Sequence, residues 1–224
     1  MRRTTGGVVL ALVAPLVTAG PASAGPPRIY HTIHADLGYA VVDRTVGCTR
    51  TEAFVSSTVA MYAAQPGPVT KQGFTDVQVI VRDVCAAPAA APGGGVVVAE
   101  YSGRAAVPLQ SDPRLRQASV TARMQDVDDP AVPITVVVRW TGSGPLDHTT
   151  THIHDRFPGE GVISSSANDL HRAADAVVTL QVGNGVDLRS VPAAEAVLER
   201  TKSRCVENPR PGVEGFYPCF GFPG

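Results

Sequence analysis

The chain has few of the residues that usually identify a partner. Aromatic side chains make up 5% of its 224 residues and charged ones 17%, and the formal net charge is −1. Removal of an N-terminal signal with Arg2 and Arg3 would leave 17 of the 19 basic side chains against 20 acidic ones. This balance argues against nucleic acid or an anionic membrane as a partner.

Long apolar runs are scarce as well. The run VVLALVAPLV from Val8 follows two arginines, is broken by Pro15 and precedes the small residues PASA, which end at Ala24. It is too short to span a bilayer and has the layout of a secretory signal peptide. We therefore expect a mature chain from Gly25 that is extracellular or associated with the cell envelope, without membrane insertion.

Only four cysteines occur, and none forms a C-x-x-C motif, which argues against a redox or metal-binding role for them. In a secreted chain they indicate disulfides, for which three connectivities exist. The sequence predicts Cys48–Cys85 and Cys205–Cys219, because each pair closes a local loop.

Enzyme signatures are missing. The chain has no G-x-S-x-G elbow, no H-E-x-x-H motif and no glycine-rich phosphate loop after a strand. Ser164 to Ser166 lie close in sequence to Asp169 and His171, but proximity in sequence supplies neither a positioned base nor an oxyanion hole. We interpret this stretch as a polar turn between two strands, and we favour a protein without catalysis or cofactor.

Alternating apolar residues are the dominant pattern that is present. VQVIVRDV places Val77, Val79 and Val81 on one face, and ITVVVRW repeats the pattern. A period of two predicts β-strands. Further strands are predicted at 39–46, 54–62, 96–101, 119–127, 148–157, 162–166 and 176–182, with GNG at 183–185 as a hairpin turn. SVPAAEAVLERTKS fits either a helix that begins near Ser190 or a closing edge strand, and we favour the strand.

Two portions of the chain resemble each other in outline. STVAMYAAQPGPVTKQGFTDVQVIVRDV and ASVTARMQDVDDPAVPITVVVRW each give a strand, a proline-containing connection and a valine-rich strand. The sequence therefore predicts an all-β protein, an antiparallel β-sandwich with two tandem β units and a disulfide-closed C-terminal tail. The predicted divisions are a signal peptide (1–24), an extended N-terminal segment (25–35), a first β unit (36–110), a second β unit (111–203) and the tail (204–224).

The stretch DHTTTHIHD, residues 147–155, is the one candidate metal site. On a strand His152 and His154 share a face about 6.7 Å apart, so both could bind one zinc ion. His148 is about 13 Å from His152, and further ligands would have to come from His31, His34, Asp36 or Asp155. Without such partners the stretch is a polar strand, for which threonine is well suited.

The last residues form a different kind of segment. CVENPRPGVEGFYPCFGFPG is rich in proline and glycine and holds four of the chain's aromatic residues, Phe216, Tyr217, Phe220 and Phe222. These rings would either pack on a sheet or project as a binding surface, since exposed apolar clusters usually mark an interface.

The motifs VVVRWTGSGPL, HTTTHIHD and ISSSANDLHRAADAVVTLQV together resemble a group of secreted, β-rich proteins of high-GC Gram-positive bacteria. In that group a WTGTG turn precedes a histidine-rich strand. The resemblance covers residues 40–203, excludes the tail and implies no catalytic residue, because the group has no assigned activity. This chain departs from the pattern at Thr150, which stands where the group tends to place a histidine.

The sequence thus predicts a secreted, non-catalytic binding module for cell-wall polysaccharide or an extracellular protein. The alternatives are a metal-binding protein or metal-dependent enzyme that uses zinc at His152 and His154, and a structural component of the envelope. The oligomeric state and the ligand are not indicated.

Overall fold

The computed structural model describes residues 29–65, 67–86 and 95–210, which form eleven β-strands and, within these ranges, no helix. No described segment could cross a membrane as a long apolar helix. The predicted signal peptide and residues 211–224 lie outside the described residues. The strands are β1 (Ile29–Val46), β2 (Thr49–Gln65), β3 (Val69–Asp83), β4 (Val96–Ala105), β5 (Gln110–Ser111), β6 (Gln117–Gln125), β7 (Pro133–Gly142), β8 (Asp147–Phe157), β9 (Gly161–Val182), β10 (Val186–Pro192) and β11 (Glu195–Pro209).

All strand pairs are antiparallel and join one sheet in the order β4-β3-β2-β1-β11-β9-β7-β6-β5. The long strand β9 organises it: the first half of β9 pairs with β8 and β11, and the second half with β7 and β10. The predicted all-β, antiparallel class is confirmed. The sandwich arrangement and the division into two units stay predictions.

The core follows from the alternation that predicted the strands. Every second residue of β6 and β7 is buried, as a strand with one face on a core requires. Buried residues from both predicted units belong to one cluster. Trp140 lies within it and donates its indole N–H to the carbonyl oxygen of Tyr39 at 2.9 Å. Gly38 permits this approach, because a Cβ there would lie only 3.3 Å from the indole ring.

Two predictions about strand boundaries are wrong. Ser164 to Asp169 do not form a turn; they lie in the first half of β9, where β8 and β11 pair with its backbone on both sides. The predicted closing strand exists as β11, but it is an interior strand between β1 and β9. Polar side chains suit β11 and this part of β9, because neighbouring strands pair with the backbone on both sides and one face of the sheet is open to solvent there.

The two similar portions of sequence form corresponding hairpins, β2–β3 and β6–β7. GNG forms the turn between β9 and β10, with Gly183 at a φ of 48°. The residues from Ile29, within the predicted N-terminal segment, already belong to β1 and pair with β2 and β11.

The predicted disulfide Cys48–Cys85 is present, with a Cα–Cα distance of 5.2 Å. Cys205 is buried and is not a free thiol. Its predicted partner, Cys219, lies outside the described residues, as do Phe216, Tyr217, Phe220 and Phe222.

Candidate binding face and the predicted histidine site

Strand β8 carries the histidine-rich stretch on the sheet surface. It pairs with β9 along its whole length, and residues 147–156 are all exposed. Residues directly opposite each other on antiparallel strands share a face, and so do alternate residues of one strand. His148, His152 and His154 therefore share one face, as predicted. Nδ1 of His154 lies 2.8 Å from the Ser164 hydroxyl oxygen on β9.

The four additional ligands considered for zinc do not join this pair. The strand register places His31 and Asp155 on the opposite face of the sheet. His34 and Asp36 share the face of the histidine pair but lie on β1, three strand spacings or about 14 Å from β8. Zinc–nitrogen bonds are about 2.1 Å, so one ion cannot bridge that gap.

A different trio of ligand-type side chains occurs elsewhere in the described part of the chain. Sulfur atoms of Cys48 and Cys85 and a carboxylate oxygen of Asp83 lie within 4.8 Å of one another. Both sulfurs belong to the disulfide, so they offer no thiolate, the form in which cysteine binds metal.

The residues considered for nucleophilic catalysis are also separated. Ser164 and Ser166 point to the face of the histidine pair, whereas Asp169 and His171 point to the other face. Ser165 shares the face of Asp169 but stands four residues away, about 13 Å along the strand. His171 instead contacts Glu199, with Nδ1 at 3.2 Å from a carboxylate oxygen.

The histidine pair borders an open depression of about 600 Å³, which we name the trough. Its floor is the row of short polar side chains on β9, and its two walls are longer side chains on β8 and β11. Ring atoms of Tyr30 support the second wall, because the guanidinium carbon of Arg204 lies 5.1 Å from the ring centre. The lining residues are Tyr30, His152, Ile153, His154, Ser164, Ser165, Ser166, Arg204, Val206 and Asn208.

Charges are divided between the two faces of the four strands that carry the trough. We name one of these faces the basic face. The strand register assigns to it the even-numbered residues of β8, of β11, of residues 29–37 in β1 and of the first half of β9. Its charged residues are Asp36, Arg156, Arg200, Lys202 and Arg204, whereas the opposite face has Asp147, Asp155, Asp169, Glu195, Glu199 and Glu207.

One ion pair closes the end of the basic face nearest the core. Asp36 and Arg200 are buried, and the guanidinium donates two hydrogen bonds of 2.6 Å to the carboxylate. Ser111 also donates to Asp36, and Arg200 donates to the carbonyl oxygens of Asp112 and Pro113. Burial would raise the pKa of Asp36, but the hydrogen bonds from Arg200 and Ser111 outweigh it and lower that pKa.

The same cations affect His34, which lies between this ion pair and the trough. Burial lowers the pKa of His34, the Asp36 carboxylate opposes that effect, and the positive charges of Arg200 and Lys202 add to it. Burial, with a smaller contribution from the two cations, thus lowers the pKa of His34 and disfavours its charged form.

Sequence reasoning identified the histidines of the trough but missed Tyr30, Ser164, Ser166 and Arg204 as their neighbours. A signal existed in ERTKSRCVE, residues 199–207, where the basic residues are all even-numbered and the acidic residues are both odd-numbered. Which strands lie beside β11 could not be read from that pattern.

A scan against protein-family models found no match, and searches of curated proteins and of solved structures found none. The resemblance to secreted proteins of high-GC Gram-positive bacteria therefore stays an expectation.

Proposed function

We propose that the chain is a secreted, non-catalytic binding module and that the trough holds an extended polymer of the cell exterior. The observation that carries this proposal is the shape and lining of the trough. It is open and about 600 Å³ in volume, with a floor of hydroxyl groups between two walls of longer, mostly polar side chains. Enclosed pockets suit small ligands, whereas an open channel that follows a strand suits a chain.

Purified cell-wall polysaccharide is the first polymer to test, in a pull-down with the full mature protein. Ser166→Tyr would fill the floor of the trough, and we expect this variant to lose retention. Thr149→Tyr is the matched control, because Thr149 is exposed on the opposite face of β8. Equal retention of both variants and the parent protein would show that the trough is not the site.

The aromatic tail is the other location to test in the same pull-down. Replacement of Phe216, Tyr217, Phe220 and Phe222 by serine should leave retention unchanged if the trough is the binding site. Loss of retention in this variant alone would move the binding site to the tail.

Zinc binding at His152 and His154 is the alternative function, and the common face of these two side chains on the trough wall favours it. Calorimetric titration of the mature protein with zinc should then show binding that His152→Ala/His154→Ala removes. Negligible and equal affinity in both proteins would end this alternative.

A further inference from the structure

We infer that the ligand of the trough is a linear acidic polysaccharide, one whose sugar units carry carboxylate, sulfate or phosphate groups. This inference rests on the proposed function, since it assumes that the trough binds a polymer. It adds the chemical class of that polymer.

The first argument is the separation of charge across the sheet. Apart from Asp36, which is paired with Arg200, no carboxylate occurs among the described residues of the basic face. Arg156, Lys202 and Arg204 are exposed on that face and form no ion pair with another described residue. Their charges are therefore available to an anionic ligand, and no described carboxylate on that face other than the paired Asp36 repels one.

The second argument is the position of these charges relative to the trough. Arg204 and Lys202 are alternate residues on the β11 side, about 6.7 Å apart along the strand. Arg156 stands on β8 opposite Asn208 of β11, so it lies about 10 Å from Arg204 across β9 and four residues, about 13 Å, further along the strands. Cations on both sides of a channel favour a chain that carries negative charges along its length over a ligand with a single charge.

The third argument concerns the kind of polyanion. Proteins that bind single-stranded nucleic acid usually stack bases on exposed aromatic rings. Tyr30 is the one aromatic residue on the described part of the basic face, and the Arg204 guanidinium already lies over its ring. Ser164, Ser166 and Asn168 instead present hydroxyl and amide groups, which match the hydroxyl groups of sugars.

The test measures the affinity of the mature protein for polygalacturonate, dextran sulfate, a phosphomannan, neutral dextran, single-stranded DNA and purified cell-wall polysaccharide. The trough variant is Arg156→Gln/Lys202→Gln/Arg204→Gln. The matched control, Arg44→Gln/Arg123→Gln/Arg139→Gln, removes the same number of exposed charges away from the trough. Circular dichroism of both variants checks that they are folded.

We expect the parent protein to bind at least one acidic glycan and not dextran, with an affinity that falls as salt increases. The trough variant should bind at least about tenfold more weakly, equivalent to about 1.4 kcal/mol, and the control should match the parent protein. The polymer that binds best identifies whether carboxylate, sulfate or phosphate is the preferred group.

Three results would overturn the inference: equal loss of affinity in the two variants, binding of dextran as tight as that of the acidic glycans, or tighter binding of DNA. Binding of neutral polymer that Ser166→Tyr abolishes would leave the proposed function intact. Failure to bind any polymer, cell-wall polysaccharide included, would reject the proposed function as well.

Discussion

Asp36 and Arg200 form an ion pair in which both side chains are buried. The two residues are 164 positions apart in the chain. A buried pair is costly to desolvate, and it is stable only when good geometry and further hydrogen bonds compensate. Ser111 and the carbonyl oxygens of Asp112 and Pro113 supply those bonds. The pair thereby connects β1 and β11 to the segment that follows β5.

Asp36→Asn should lower the free energy of unfolding by about 3 kcal/mol, because it leaves the Arg200 charge buried without its counter-ion. Urea denaturation followed by tryptophan fluorescence would measure the change. Asp43→Asn is the control. Asp43 pairs with Arg50 at 2.7 Å, but its side chain is 40% exposed, so its loss should cost about 1 kcal/mol or less. Similar losses in both variants would contradict this account.

The lowered pKa of Asp36 also predicts a dependence on pH. A carboxyl group whose pKa is lower in the folded state stabilises the protein above its unfolded pKa of about 3.9. That contribution is lost as the pH falls through the lower, folded value. The free-energy difference between the parent protein and Asp36→Asn, measured from pH 6 to pH 2, should therefore shrink below about pH 4. A constant difference over this range would show that Asp36 does not titrate as inferred.

Among the strands, β9 shows how neighbours decide the conformation of a polar sequence. ISSSAND has no apolar alternation, and the sequence predicts only a short strand at 162–166 with a polar turn there, yet β8 and β11 pair with every residue of it. The complete hydrogen bonding of its backbone makes the strand stable despite the sequence. The short side chains of this part of β9 leave room for the trough between β8 and β11.

The disulfide Cys48–Cys85 acts at the same scale, since it links the turn between β1 and β2 to the segment after β3. It closes a loop with a sequence separation of 37. In the chain-entropy model such a loop closure stabilises the fold by about 4 kcal/mol. Cys48→Ala/Cys85→Ala should therefore unfold at a lower urea concentration, in a transition followed by far-ultraviolet circular dichroism. An unchanged midpoint would show that the hairpin is constrained equally well without the bridge.

For the whole molecule, the sheet continues from the first predicted unit into the second through the pairing of β1 with β11. The core cluster likewise contains Val42 and Val55 of the first unit together with Val138 and Leu180 of the second. Neither set of strands has a separate described core. Folding of one unit should consequently depend on the other.

We therefore expect a single cooperative unfolding transition. Trp140 is the only tryptophan and is buried in the cluster, so its fluorescence reports on the core alone. Its denaturation curve should coincide with that of circular dichroism, which reports on all strands. Two separated transitions would instead support two independent domains and the predicted division at residue 110.

The predictions that succeeded rest on local patterns. Alternation identified β6 and β7, the GNG turn identified the β9–β10 hairpin, and local loop closure identified Cys48–Cys85. Those that failed depended on partners distant in sequence. The interior position of β11 and the continuity of β9 both follow from pairing with strands that the local pattern does not name.

The sequence by itself determined the all-β class, because a period of two in apolar residues requires strands with one buried face. It also determined that His152 and His154 share a face. Only the tertiary structure decided what lies beside them, since the order of strands in a sheet depends on contacts between residues far apart in the chain. That order places Arg204 and Tyr30 across from the histidines, and it gives the four strands around the trough one basic and one acidic face.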